Sequence, residues 1–169
     1  MKRIIPALLA VALVGTTVQN AHALGAYATW WNIDETNDGG FGIGIRQPIK
    51  IVPIFSIDTR AAYVNFSDAD LNVFPLEAVG IVSLGLLYGG LGVGYYIFDT
   101  GGDVSFENSF GWHILAGVSV GVKPVTLFAE VKWTQLEADI KDVDIDPGNV
   151  PTSLDAAGFG FNVGVLFGL

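Results

Sequence analysis

From residue 24 onward the chain alternates between large apolar residues and small or polar ones. At its end, Phe159, Phe161, Val163, Val165, Phe167 and Leu169 share one parity, and Gly158, Gly160, Asn162, Gly164, Leu166 and Gly168 share the other. A period of two puts each set on one side of an extended chain, whereas a helix would scatter both around its circumference. The stretch 109–122 sets Trp112, Ile114, Ala116, Val118, Val120 and Val122 against His113, Leu115, Gly117, Ser119 and Gly121. In 125–138 the second parity carries charge: Val125, Leu127, Ala129, Val131 and Trp133 alternate with Thr126, Phe128, Glu130, Lys132 and Thr134. Eight such segments are expected, at 24–33, 41–47, 51–66, 72–82, 84–98, 109–122, 125–138 and 155–169. Several approach the roughly 9–11 residues that a tilted strand needs to cross a bilayer.

The connections carry a second signal. Short turns are expected near Gln47–Lys50, Ser83 and Lys123–Pro124. Longer polar loops fall at Asp34–Gly40, Ser67–Leu71, Asp99–Asn108 and Asp139–Leu154. Alternation of short turns with long loops is the habit of barrels that cross a membrane, with both termini on the turn side when the strand number is even. Trp30, Trp31, Tyr63, Tyr95, Tyr96, Trp112 and Trp133 lie near strand ends and are expected to form interfacial girdles.

Composition supports lipid rather than water outside. Half the chain (51%) is hydrophobic, yet beyond the leader no apolar stretch reaches the length of a membrane helix, so the apolar residues must be interleaved along strands. A soluble sandwich or lipocalin-like barrel would place its charges outward. Here the charged parity is the minority set opposite a nearly continuous apolar one. Hydrocarbon satisfies neither a charge nor a free backbone group, so the charges are expected inside.

The first residues read as an export signal and not as fold. Lys2 and Arg3 are followed by an apolar run from Ile4 to Gly15, then by Ala21, His22 and Ala23 as a small-residue cleavage site. Residues 1–23 are therefore expected to be a signal peptide and residues 24–169 a single barrel domain. Loss of Lys2 and Arg3 leaves six basic residues against seventeen acids, a formal charge of −11, which excludes nucleic acid as a partner. The absence of cysteine excludes disulfides and thiolate metal sites.

With its leader, its eight alternating segments and the ending Phe159 to Leu169, the chain resembles the small eight-stranded outer-membrane barrels of the OmpA-like and OmpX-like kind. The resemblance covers the whole mature chain and is architectural. It implies an all-β, antiparallel, up-and-down transmembrane barrel in the bacterial outer membrane. It also implies recognition of the C-terminal strand 159–169 by the barrel-assembly machinery. Members commonly end in an aromatic residue; this chain ends in Leu169, with Phe167 two residues before it.

The inward parity is expected to hold Arg46, Asp58, Arg60, Glu77, Glu130 and Lys132, three basic and three acidic residues that can neutralise one another. In so narrow a barrel they read as a salt-bridge plug, with a gated ion path as the functional alternative. Inward glycines (Gly42, Gly44, Gly90, Gly92, Gly94, Gly158, Gly160, Gly164) are expected to make room for Tyr88, Tyr96 and Phe128. Catalysis has no motif behind it. His113 is followed two residues later by Leu115, where the lipid A deacylases have serine, and a cross-strand pairing with Ser119, Ser109 or Ser56 has no pattern to support it. In the last loop Asp142, Asp144 and Asp146 begin like a calcium loop. Pro147 replaces the turn glycine and the distal glutamate is missing, so a solvated acidic loop is expected, with divalent cations bridging it to lipopolysaccharide phosphates as a weaker reading. No cofactor or bound metal is expected. The function expected is structural or surface-interacting, carried by a monomer among outer-membrane lipids and lipopolysaccharide. A narrow channel for small or hydrophobic solutes is the alternative, and a lipid A-modifying enzyme a more remote one.

Overall fold

The computed structural model describes residues 23–34, 38–67, 70–100, 105–122, 124–142 and 153–168. Ten strands occur among them: β1 (Ala23–Ile33), β2 (Asp38–Val52), β3 (Phe55–Phe66), β4 (Leu71–Leu84), β5 (Leu87–Thr100), β6 (Ser105–Phe106), β7 (Ser109–Val122), β8 (Val125–Asp142), β9 (Ser153–Asp155) and β10 (Gly158–Gly168). Eight of these form the wall. Each pairs antiparallel with the next, and β10 pairs with both β8 and β1, so the sheet closes without an edge. The short β6 and β9 pair with the far end of β8 and extend it on the loop side.

The register fixes the shape. Cross-strand partners lead from Ile33 through Gly158, Thr134, His113, Gly92, Val79 and Asp58 to Pro48, which lies opposite Ala23 two residues beyond the last β1–β2 pair. One circuit thus returns to β1 ten residues from its start. For eight strands that offset corresponds to a tilt of about 40°, within the range closed barrels adopt.

The faces fall as the alternation predicts. Outward positions include Phe41, Ile43, Leu91, Val93, Ile114, Val131, Phe159 and Val163, all exposed, which is tolerable only if hydrocarbon covers them. At a tilt of about 40°, Trp30, Phe41, Tyr63, Phe74, Tyr95, Trp112, Trp133 and Phe159 fall in one ring around the outside. Within the ring Tyr63 touches Phe74 (5.1 Å between centroids) and Trp112 touches Trp133 (5.2 Å), while Tyr95 touches Phe110 beside it (4.8 Å). Just above it the outer surface turns polar. Tyr63 donates to Asn72 (2.6 Å), Asn65 donates to Asn72 (2.9 Å) and Ser67 donates to Asn65 (2.9 Å).

The interior inverts at the same level. Above the ring the lumen is filled by Trp31, Ile33, Val64, Phe66, Leu71, Val73, Tyr96, Phe98, Leu136 and Ala156. Glycines give the rings their space, as the sequence predicts: a Cβ at Gly164 would stand 2.7 Å from the Phe128 ring, and one at Gly94 would stand 2.8 Å from Tyr96.

Four expectations need correction. First, the turn expected at Gln47–Lys50 is strand. β2 continues to Val52 with a bulge between Lys50 and Val52, and the turn is Pro53–Ile54. Pro48 is accommodated because β1 pairs with β2 only as far as Arg46, so at Pro48 β2 has one neighbour to bond. Second, the turn expected at Ser83 is Gly85–Leu86. Gly85 has φ +69° and Leu86 is not in the left-handed region, the pattern of a type II′ hairpin. Replacing Gly85 by alanine meets no steric obstacle, so its cost is the left-handed backbone alone, about 1–2 kcal/mol by urea unfolding in vesicles. Third, Trp31 and Tyr96 are not girdle residues. They share the inward parity and pack on one another (5.8 Å), with Trp31 also on Phe66 (5.7 Å). Fourth, the last loop is shorter than expected, because β8 runs to Asp142 and Ser153–Asp155 pairs back onto it. Residues 1–22, including most of the expected signal peptide, lie outside the described residues.

Candidate functional site: the lumen charge cluster

Below the apolar cluster, all six expected charges meet in the lumen. Arg46, Asp58, Arg60, Glu77, Glu130 and Lys132 are each no more than 7% exposed. Alternation alone brings them inward, because each sits on the parity opposite the lipid-facing residues of its own strand. They form two groups. In the first, Arg46 pairs with Asp58 and stands 3.4 Å from Glu130, while Arg60 pairs with Glu130 and stands 3.2 Å from Asp58. In the second, Lys132 Nζ donates to Glu77 Oε1 at 2.7 Å. Each group contains as many acids as bases.

Neutral side chains add to the bonding. Tyr88 and Asn162 both donate to Glu130 at 2.8 Å, and Tyr96 donates to Glu77 at 3.1 Å. The Arg46 guanidinium lies 4.4 Å from the centre of the Phe128 ring and 5.9 Å from that of Tyr88, a cation–π arrangement. Glu130 is therefore the hub, accepting from two arginines, a phenol and an amide. A carboxylate so placed replaces water almost completely, which is the condition for holding buried charge. The sequence reading gives Tyr88 and Tyr96 on the inner face only as rings and assigns Asn162 no role. Their hydroxyl and amide groups on the inward parity were the available signal of a bonding role.

Of the remaining candidates, His113 borders this cluster. His113 is fully buried, with Nδ1 3.9 Å from Glu77 Oε1, on the lumen side of the wall and away from lipid. Its register partners are Gly92 and Thr134 and none of the serines weighed for it. Among the described residues no group of three or more metal-ligating side chains occurs. Asp142 ends β8, and Asp144 and Asp146 lie outside the described residues.

A closed, eight-stranded, all-antiparallel barrel with an apolar outside and a charged inside defines the class: the fold is that of small outer-membrane β-barrels. The chain superposes on the outer membrane protein OprG from Pseudomonas aeruginosa with a TM-score of 0.57 at 13% identity, covering 88% of this chain and 96% of that one. It superposes on Neisserial surface protein A with a TM-score of 0.59 at 19% identity, covering 87% and 95%. No protein-family model matches the sequence, and no curated protein is significantly similar to it.

Proposed function

We propose that the protein is a monomeric barrel of the bacterial outer membrane with a structural or surface-interaction role, its lumen closed by the charge cluster. The observation that carries this reading is the pairing of Asp58, Glu77 and Glu130 with lumen bases, in a layer sealed above by packed aromatic and aliphatic side chains. Opening a path would require breaking these buried pairs, and removing one partner of such a pair costs about 3–5 kcal/mol. Fourteen of the seventeen acids lie in or beside the loops, so the loop end presents negative charge outward. Divalent cations held between these acids, with Asp142, Asp144 and Asp146 prominent among them, and lipopolysaccharide phosphates would give that end its partner. The C-terminal strand, residues 159–169, would serve the assembly machinery. The likeness to outer-membrane barrels supports the location.

The test is conductance. In planar bilayers the purified mature protein is expected to give no steady unitary current. Steady currents that vanish in an Arg60 or Glu130 substitution would replace this reading with that of a narrow channel.

A further inference from the structure

The turn end of the barrel differs from the loop end in three independent respects. It is apolar: Ile51, Val52, Ile54, Leu84, Leu86 and Leu87 are all exposed there, Leu86 at 62%. One carbonyl at each of three turns is already bonded to a neighbouring strand or turn. Ser83 donates to Ile54 O at 2.9 Å, Ser119 donates to Leu86 O at 2.8 Å, and Gly168 donates to Pro124 O at 3.1 Å. It also has no acid, whereas its sequence supplies Lys50, which is exposed, and Lys123.

Distance adds a fourth argument. The outer aromatic ring marks one membrane boundary. With a rise of about 3.3 Å per residue and a tilt of about 40°, the ten residues from Phe74 to Leu84 descend about 25 Å, the height of the apolar band of such barrels. The band is therefore used up when the turns are reached, and no length of strand remains to emerge beyond it.

We propose that the turn rim does not leave the membrane: Pro53–Ile54 and Gly85–Leu86 lie at the acyl boundary of the leaflet on that side, with Lys50 reaching the anionic headgroups. This rests on the reading of the barrel as membrane-spanning. Three properties fit the rim to lipid rather than to a protein. The surface is continuous with the lipid-facing belt, and one backbone acceptor at each of three turns needs no external donor, which hydrocarbon could not provide. The charge is complementary to anionic phospholipid.

Because the chain has no cysteine, single cysteines can be spin-labelled without background. Leu86→Cys and Ile54→Cys would be compared with Leu91→Cys in the belt and Asp99→Cys on the loop side. All four would be reconstituted in vesicles of phosphatidylcholine and phosphatidylglycerol, and collisions with oxygen and with a water-soluble nickel chelate would be measured. The ratio of oxygen to nickel accessibility at positions 86 and 54 is expected to lie with that at 91, several-fold above that at 99. A ratio matching position 99 puts the turns in water and overturns the proposal. Immobilised labels that exclude both probes also overturn it, because a second copy or a protein partner then covers the rim. If position 91 itself is open to nickel, the membrane-spanning reading fails and the turn proposal falls with it.

Discussion

Replacing Glu130 by alanine is expected to destabilise the barrel by about 3–5 kcal/mol, the cost of leaving buried charge without its counterion. The change removes the acceptor of Arg46, Arg60, Tyr88 and Asn162 together and leaves only Asp58 to face two guanidinium groups. Urea unfolding of the protein in lipid vesicles measures it, and heat-modifiable gel mobility should be lost at a lower temperature in the variant. Glu137→Ala, at an exposed position on the loop end, is expected to change stability by no more than about 0.5 kcal/mol. Equal behaviour of the two variants would mean that the Glu130 carboxylate is hydrated and the lumen wet.

The second large effect is on the outer face. Leu91 is 62% exposed and lies midway between the turn and the aromatic ring, at the middle of the apolar band. Leu91→Arg is expected to cost about 2–4 kcal/mol, the range for a cation at the bilayer midplane. Asp99→Arg, beyond the ring, should be close to neutral. In a water-soluble barrel the order would differ, because an exposed leucine exchanged for arginine disturbs little.

Much of this architecture was legible in the sequence because a period of two is rigid. Once Val131 and Trp133 are assigned outward, Glu130 and Lys132 have no other side to occupy, and the same logic places Asp58, Arg60 and Glu77. The partners were not legible. The register neighbours of Arg46 are Gly25 and Arg60, a like charge, and its acids reach it from Asp58 and, across the lumen, from Glu130. Which residues meet across the lumen depends on the ten-residue offset of closure, a property of all eight strands together. The turns misled for a local reason. Pro48 and Lys50 look like loop chemistry, but they lie on β2 beyond its last pairing with β1 and still pair with β3, while the informative residue was Gly85. The apolar cluster above the charges was legible only in part. Trp31 and Tyr96 stand at the level of the girdle, and their inward parity had to be weighed against their aromatic character.

Trp30 and Trp31 test the central assignment most directly, since they are adjacent in the chain and oppositely placed: Trp30 is 36% exposed on the outside and Trp31 is 2% exposed within. Two single-tryptophan proteins, with the other tryptophans changed to phenylalanine, would be reconstituted in vesicles of phospholipid brominated near the top of the acyl chains. Fluorescence of the Trp30 protein should be strongly quenched and that of the Trp31 protein spared. Quenching of Trp31 with Trp30 spared, or insensitivity of both to the brominated lipid, would contradict a barrel that turns its large apolar side chains to lipid and its charges inward.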